Sequence, residues 1–326
     1  MAGLPCWQPA GLEESQRKSD WVRADFADFE GQYQFYWSKK RQNMNRPDIL
    51  RFCSRFSSSP TGCQVHHASF LPMQLHSPQP CSCPYFRYPQ GEQIMIDIRR
   101  AQDRGHANLG WLNSWHSFSF GDYYDPKHTQ FRTLRVINDD TVEPARGFGT
   151  HGHRDMEIVS YVLEGALAHK DSMGTGSIIR PGSVQRMSAG TGVQHSEFNP
   201  SQSEKAHFLQ IWFLPNKTGI SPGYEEKYFD DTEKRGRLRL IASPDSADGS
   251  VKIHADAKLF AALVDDGERV EQIIEPGGYV YVHVARGEVS LNGTRLHAGD
   301  GASLTDESHL VLDQGQKAEV LVFELA

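Results

Sequence analysis

This 326-residue sequence has few cysteines, no long apolar runs and no excess of positive charge. All five cysteines precede Met95, so the rest of the chain can form neither a disulfide nor a cysteine-bound metal site. No stretch reaches the roughly 18 consecutive apolar residues that a membrane-spanning helix needs. The segment from Met1 to Trp7 also lacks the basic start and apolar run of a signal peptide. We therefore expect a cytoplasmic protein that has no membrane partner.

The negative charge is concentrated after Met95. The whole sequence has a formal net charge of −7, and 10 of its 34 Lys and Arg and 8 of its 41 Asp and Glu precede Met95. The remainder therefore has 24 basic and 33 acidic residues, a net charge of −9. An acidic body of this kind argues against a nucleic-acid partner.

Residues 1–94 differ in texture from the rest of the chain. They contain all the cysteines, Ser- and Pro-rich patches such as Ser57–Pro60 and Ser77–Pro80, and no sustained apolar period. Their cysteines and histidines match no familiar zinc-finger spacing. We predict a largely disordered N-terminal extension or a start-site artefact, with Met95 as the natural beginning.

Short strand-like runs, separated by Gly, Pro, Asn and Asp, come after Met95 and indicate an all-β fold. Examples are Phe131–Ile137, Ile158–Leu163, Ala166–Asp171 and Tyr279–Ala285. Asn292 and Gly293 lie between two such runs and predict a tight hairpin.

Two short runs place chemistry-bearing side chains at every second position. In a β-strand such side chains point to one face, so His151 would project together with His153, and His195 together with Glu197. Three imidazoles and a carboxylate are a ligand set for a divalent transition metal. The sequence therefore predicts a metal centre inside a β-barrel.

Alternatives to this interpretation come from the same residues. A single His-x-His pattern also arises by chance among ordinary histidines, and the second pair is what makes the metal interpretation the better one. Glu157 has the same parity as His151 and His153, so it competes with Glu197 as the carboxylate ligand. The second half of the chain has no such pattern and predicts a metal-free barrel. Its histidines are isolated, for example His283, His297 and His309.

Aromatic residues are concentrated in positions 110–126. We interpret Trp111, Phe118 and Phe120 as a lid and core segment over the mouth of the barrel. Histidines and amides outside the two short runs are expected to make ordinary structural hydrogen bonds. These residues are His116, His207 and Gln210.

Several motifs together resemble the pirin family, and especially its bacterial members that act as quercetin 2,3-dioxygenases. The motifs are Trp111-x-x-Ser114-Trp115-His116-x-Phe118-Ser119-Phe120, Arg135 to Asp140, Gly149-Thr150-His151-x-His153, Met187 to Gly192 with His195-x-Glu197-x-Asn199, and Gln210-Ile211-Trp212. The resemblance runs from about Met95 to the end of the sequence. It implies a bicupin, with a cupin β-barrel that holds the metal over residues 95–220 and a metal-free cupin-like barrel over residues 221–326.

The resemblance also implies roles for individual residues. The metal ligands of the family fall on His151, His153, His195 and Glu197. Glu197 is then also the catalytic base, and Glu157 is left as a partner that orients an imidazole. The implied cofactor is one divalent transition metal, Fe(II) in the first place, although the same ligands accept Mn, Co, Ni, Cu or Zn.

The activity that the resemblance implies is cleavage of flavonols such as quercetin with O2 and release of carbon monoxide. The partners are then a small planar aromatic substrate and O2. Eukaryotic family members suggest an alternative, a nuclear metal-dependent regulator that senses redox state, but residues 95–326 lack a nuclear-type Lys/Arg run. A metal-dependent isomerase or a metal-storage protein on the same frame is a third interpretation. Two barrels in one chain favour a monomer.

Overall fold

β-Strands make up nearly all of the regular structure in the computed structural model, which describes residues 95–326. The predictions made for residues 1–94 lie outside this range. The all-β class predicted from the sequence is confirmed. The α-helix of the described range, α1, has four residues, Asp231–Lys234. None of the helices in residues 95–326 could span a lipid bilayer.

Twenty strands succeed one another along the described chain. The first twelve are β1 Met95–Arg99, β2 Gly105–Asn108, β3 Leu112–His116, β4 Leu134–Val142, β5 Gly147–His153, β6 Glu157–Glu164, β7 Leu167–Asp171, β8 Gly176–Ile179, β9 Ser183–Ser188, β10 Val193–Phe198, β11 Ala206–Phe213 and β12 Gly223–Tyr228. The others are β13 Arg239–Ser243, β14 Val251–Lys252, β15 Ala257–Val264, β16 Val270–Ile273, β17 Tyr279–Leu291, β18 Thr294–His297, β19 Gly301–Thr305 and β20 His309–Leu325. Two 3-10 helices occupy Ala101–Asp103 and Ala247–Gly249.

Three sheets hold these strands. A seven-stranded sheet has the order β12-β9-β6-β11-β4-β3-β2, and a four-stranded sheet has the order β5-β10-β7-β8. Side chains of these two sheets meet between them, as where Gln210 of β11 contacts Glu197 of β10. We call the two sheets the first barrel. A nine-stranded sheet forms the second barrel along the path β1-β19-β17-β20-β15-β13-β14, with β16 paired to β20 and β18 to β17.

Two strands cross between the halves of the sequence. β1 precedes the first barrel in the chain but pairs with β19 of the second barrel, from Met95 opposite Thr305 to Arg99 opposite Gly301. β12 comes after residue 220 but pairs with β9 of the first barrel. The division into residues 95–220 and 221–326 stays a prediction. β1 and β12 each pair with a strand from the other side of this boundary, so backbone hydrogen bonds link the two halves.

Strand β6 is buried on both faces, which explains its nearly continuous apolar sequence. Ile158 and Val162 pack in the interior of the first barrel. Val159 and Tyr161 point the other way, into the largest apolar core, to which strands of the second barrel also contribute. β6 therefore separates the interior of the first barrel from the junction between the barrels.

The largest apolar core joins the two barrels. It combines Leu134 and Phe213 of the first barrel with Phe323 of the second. Phe118 belongs to this core, with 4% of its surface exposed, and packs against Tyr281 with 5.5 Å between ring centroids. Phe118 is thus a core residue, as one half of the lid-and-core interpretation has it, and it lies at the junction between the barrels and not in a lid.

Asn292 and Gly293 form the predicted hairpin turn between β17 and β18, with φ angles of 47° and 83°. Both angles lie in the left-handed region that a two-residue turn of this type requires. β17 itself runs unbroken through Gly287, which has a φ of 65° and lies against the carbonyl oxygen of Gln316. A side chain at position 287 would collide with that oxygen, so glycine lets the two strands stay paired.

Candidate metal centre

The four-stranded sheet of the first barrel brings the three predicted histidines together. β5 carries His151 and His153, and β10 carries His195. The two strands pair antiparallel, with His195 directly opposite His151 and Val193 opposite His153. Directly opposed residues of neighbouring strands point to the same face. The three imidazoles therefore project together into the first barrel.

The three imidazole rings surround one point. Ring centroids are 4.8 Å apart for His151 and His153, 4.4 Å for His151 and His195, and 4.9 Å for His153 and His195. One nitrogen from each ring lies within 4.8 Å of a nitrogen of the other two. His151 and His153 are half-buried and His195 is buried. The cluster is therefore open on the side of β5 and closed on the side of β10.

The nitrogens that face one another are suited to a metal ion. Nδ1 of His151 donates to the carbonyl oxygen of Gly149 at 2.8 Å, which leaves the lone pair on Nε2. Nε2 of His151 is 3.0 Å from Nε2 of His195. Two nitrogens at right angles around one ion, each about 2.1 Å from it, are separated by about 3.0 Å. The geometry of this pair fits a shared ion.

Burial keeps the imidazoles of His153 and His195 neutral, and the neutral form is the one that binds metals. Burial, together with the neighbouring His151, lowers the pKa of His153 to about 3. Burial also holds the pKa of His195 well below its usual range, and the other histidines around it add to the effect.

Glu197 lies on the same face of β10 as His195 and is buried. Nε2 of Gln210 donates to both carboxylate oxygens, at 2.8 and 2.9 Å, and Oγ of Ser160 donates to Oε1 at 3.3 Å. Burial raises the pKa of Glu197, although nearby histidines and these hydrogen bonds act in the opposite direction. Glu197 forms a second group of metal-capable atoms with His195 and His169, all within 4.8 Å of one another.

The sequence did not lead us to predict that two further residues of this region, Gln210 and His169, contact Glu197 or His195. Gln210, expected to make ordinary polar contacts, holds the carboxylate of Glu197. His169 of β7 lies opposite Glu197, and its Nδ1 faces Nδ1 of His195 at 3.5 Å. The sequence contains a signal for His169. His169 and Asp171 are two positions apart in the predicted strand Ala166–Asp171, so their side chains share a face.

Glu157 lies away from the three histidines of the cluster. It is on the face of β6 that points to the second barrel, where Ser188 Oγ and the backbone N–H of His254 donate to Oε2 at 2.9 and 3.0 Å. The parity argument does not apply because Asp155, between β5 and β6, has a φ of 47° and the two strands belong to different sheets. The imidazole that Glu157 approaches is that of His254, at 3.5 Å. These contacts give it no part in orienting an imidazole of the cluster.

Aromatic side chains border the cluster. His153 packs edge-on against Trp212, with 4.9 Å between ring centroids, and Trp212 packs edge-on against Phe120 at 5.4 Å. Phe148 lies 6.5 Å from His151 on the other side. Trp212 and Phe148 therefore flank the half-buried histidines with apolar surface, and Phe120 extends that surface beyond Trp212.

The two histidines predicted to be structural make hydrogen bonds outside the cluster, as expected. Nδ1 of His116 lies 2.8 Å from Oδ1 of Asn138, and burial lowers the pKa of His116 despite that bond. Nε2 of His207 lies 2.6 Å from Oδ1 of Asp139. Burial raises the pKa of Asp139, but the His207 hydrogen bond and the charge of Arg104 outweigh it and bring the pKa to about 2.

Comparisons with known proteins agree with this arrangement. A family model described as Pirin matches residues 97–213, and one described as Quercetinase C-terminal cupin domain matches residues 240–325. A protein of Escherichia coli (strain K12) named quercetin 2,3-dioxygenase is 47% identical over 232 residues, which are 71% of this chain and 99% of that protein. The chain belongs to the pirin family.

Further relatives of this pirin-family chain give the same result. A putative quercetin 2,3-dioxygenase of Pseudomonas aeruginosa is 44% identical over 233 residues, which are 71% of this chain and 100% of that protein. The crystal structure of YhhW from Escherichia coli matches with a TM-score of 0.68 and 45% identity, and covers 71% of this chain and 98% of that one. The predicted family and the predicted bicupin fold are confirmed, and the relatives carry the name of an oxidoreductase.

One solved relative contains a metal. The bacterial pirin YhhW of Escherichia coli in complex with nickel(II) matches with a TM-score of 0.68 and 45% identity, and covers 71% of this chain and 99% of that one. The nickel complex of the relative and the histidine cluster of this chain together support a cupin that binds a divalent metal.

Proposed function

We propose that this chain is a metal-dependent dioxygenase that cleaves flavonols such as quercetin with O2 and releases carbon monoxide. The observation that carries the proposal is the convergence of His151, His153 and His195 beside the buried carboxylate of Glu197. The names of relatives that are 44% and 47% identical support it.

We assign one divalent transition metal to His151, His153, His195 and Glu197. Fe(II) is the proposed native ion, and the same ligands accept Mn, Co, Ni, Cu and Zn. The nickel complex of a relative supports a site of this kind. A bound ion supplies Lewis acidity and open positions for an organic oxygen and for O2.

Glu197 is the proposed proton acceptor. The 3-hydroxyl of a flavonol must lose its proton before its ring can donate electrons to O2, and a carboxylate whose pKa is raised by burial is a better base than one in water. Gln210 and Ser160 donate to its oxygens and hold it in position. These bonds fill both lone-pair sites of Oε1 and one of the two sites of Oε2, so the second site of Oε2 is the one left for a metal or for a proton from the substrate.

The aromatic border gives a flat polyphenol an apolar surface to lie on. Trp212 packs with Met156, Met187 and Val193 in an apolar cluster beside the histidines. Aromatic rings of a flavonol gain from edge or offset contacts with such side chains. The same surface excludes water from the carbon atoms that receive O2.

The test is turnover by the full chain after anaerobic loading with each metal in turn. O2 consumption and carbon monoxide release are measured with quercetin for wild type, His195→Ala and Glu197→Gln, and Glu157→Gln is the matched carboxylate control. We expect one metallated form to consume O2 and release carbon monoxide in equal amounts, and the first two variants to lose both. Glu157→Gln should keep its turnover. Tight metal binding without turnover by any form contradicts the proposal and favours a metal-dependent regulatory protein.

A further inference from the structure

A buried aspartate and histidine lie directly behind the metal cluster and have no role in the function proposed above. Asp171 and His169 alternate on β7, and the structure records no exposed surface on either side chain. β7 pairs with β10, so that Asp171 lies opposite His195 and His169 lies opposite Glu197. The two residues therefore share the face of the sheet that carries the cluster, on the side of His195 away from His151.

Asp171 is held by the turn that comes after its strand. Its Oδ1 accepts the backbone N–H of Met173 at 2.9 Å and that of Thr175 at 3.0 Å. Its Oδ2 lies 3.2 Å from Nε2 of His169. Because Oδ1 already accepts two hydrogen bonds, Oδ2 is the oxygen that accepts from the ring. The proton of His169 then belongs on Nε2.

This tautomer determines the next one. With its proton on Nε2, His169 offers Nδ1 as an acceptor, and Nδ1 of His195 lies 3.5 Å away. A proton on Nδ1 of His195 satisfies both rings. The lone pair of His195 is then on Nε2, the atom that faces Nε2 of His151 at 3.0 Å. The carboxylate of Asp171 thus controls which nitrogen of His195 is free to bind a metal.

We propose that Asp171 and His169 are positioning residues that hold His195 in its metal-binding tautomer. The proposal rests on the metal site proposed above. Metal-binding histidines usually donate their second N–H to a carboxylate or a carbonyl, and here one imidazole is interposed between the ligand and the carboxylate. The ring of His169 also packs against Tyr224, with 5.1 Å between centroids, which limits its rotation.

A direct ligand role for His169 is the competing assignment, because His169, His195 and Glu197 form a metal-capable group of their own. The orientation of the rings favours the positioning role. His169 and His195 face each other through Nδ1 of both rings. An ion between them would use the nitrogen of His195 that points away from His151, and the three-histidine cluster would lose its deepest member.

Asp171→Asn separates the two assignments. Its new side chain keeps an oxygen for the two backbone donors and turns its NH2 group towards His169. The protons then move to Nδ1 of His169 and Nε2 of His195, and the lone pair of His195 points away from the metal. We expect the dissociation constant for Zn(II), measured on the full chain by chelator competition, to rise about 10- to 100-fold. Tyr224→Phe is the control, since it keeps the ring against His169, and its affinity should stay within about twofold of wild type.

Nitrogen-15 NMR of the metal-free full chain, labelled at histidine, reads the tautomers directly. We expect the proton of His195 on Nδ1 and that of His169 on Nε2 in wild type, and the reverse in Asp171→Asn. A wild-type proton on Nε2 of His195, or unchanged Zn(II) affinity in a folded Asp171→Asn, overturns the proposal. If Asp171→Asn does not fold, the wild-type tautomers decide. A wild type that binds no Zn(II) overturns the proposed metal site instead, and the NMR result still tests the tautomers.

Discussion

The side-chain amide of Gln210 donates to both carboxylate oxygens of Glu197 across the interior of the first barrel, at 2.8 and 2.9 Å. Gln210 lies on β11 of the seven-stranded sheet and Glu197 on β10 of the four-stranded sheet. The contact therefore joins the two sheets beneath the metal cluster. Both side chains are buried, so water does not replace a donor that is lost.

Gln210→Met removes this donor and keeps the length of the side chain. Among the described residues Ser160 is then the remaining side chain that donates to Glu197, at 3.3 Å. The pKa of the carboxyl should rise further, because the loss of this donor destabilises the charged form, and a proton then competes more strongly with a metal for the carboxylate. We expect Zn(II) affinity to fall about 10-fold and the free energy of unfolding to fall by about 1–3 kcal/mol.

Gln185→Met is the matched control for that exchange. Gln185 is also buried, and its Oε1 has no hydrogen-bond partner within residues 95–326. The same change at this position should leave Zn(II) affinity at the wild-type value. Equal Zn(II) affinities for Gln210→Met and wild type would show that the amide does not support the carboxylate.

Glu157→Gln tests the contact between the barrels. Oε2 of Glu157 accepts both hydrogen bonds, from Oγ of Ser188 and from the backbone N–H of His254, and an uncharged amide oxygen in its place accepts them less strongly than a carboxylate oxygen. We expect the free energy of unfolding, from urea denaturation, to fall by about 1–3 kcal/mol. Glu143→Gln breaks an exposed ion pair with Lys205 and should cost less than about 1 kcal/mol. Equal free energies of unfolding for the two variants would show that Glu157 does not stabilise the contact between the barrels.

Asp140 predicts a pH dependence of stability. It is buried in the first barrel, and one of its oxygens has no partner in the described chain. Burial raises the pKa of Asp140 to about 7, with help from the charges of Asp139 and Glu197 and against a hydrogen bond from Ser114. The unfolded chain releases this proton near the ordinary pKa of 3.8. Between these two values the folded state binds more protons, so its stability falls as the pH rises.

Asp140→Asn removes this titration. From pH 4 to pH 8 the free energy of unfolding of Asp140→Asn should increase relative to that of wild type by on the order of 4 kcal/mol, since one pKa unit is about 1.4 kcal/mol. Urea denaturation of the metal-free full chain measures it, and a constant offset from the substitution cancels in the comparison. A difference that does not change with pH would mean that Asp140 titrates near its ordinary pKa.

Trp212 is expected to act on the substrate and not on the metal. Trp212→Ala removes the ring that packs between His153 and Phe120. We expect the KM for quercetin to rise about 10-fold, the size of effect that lost aromatic contacts produce, while Zn(II) affinity changes little. Trp212→Phe keeps an aromatic ring at this position and should retain most of the wild-type KM. An unchanged KM in Trp212→Ala would place the flavonol elsewhere.

Alternation along single strands paired His151 with His153, and His195 with Glu197, from the sequence, and the pairing of β5 with β10 brings the two pairs together. His151, His153 and His195 lie on β5 and β10, where local backbone geometry fixes which side chains share a face. The same argument failed for Glu157, because the turn at Asp155 carries the chain from one sheet to another. Alternation is a property of one strand and does not continue through such a turn.

Contacts between sheets are what the sequence did not predict. Gln210 reaches Glu197 because the two sheets of the first barrel stack face to face, and no local pattern encodes that stacking. The pairing of β1 with β19, and of β12 with β9, is equally non-local. Strand alternation could have predicted the face on which His169 lies. Its proposed role depends on Asp171 and on the pairing of β7 with β10, which alternation does not predict.

The most direct test of the central claim is an anomalous difference map from crystals of the full chain grown with nickel(II). The claim is that His151, His153, His195 and Glu197 hold one ion. We predict a single strong peak bounded by Nε2 of the three histidines and a carboxylate oxygen of Glu197. A peak bounded instead by His169 and Nδ1 of His195, or no peak inside the first barrel, would contradict it.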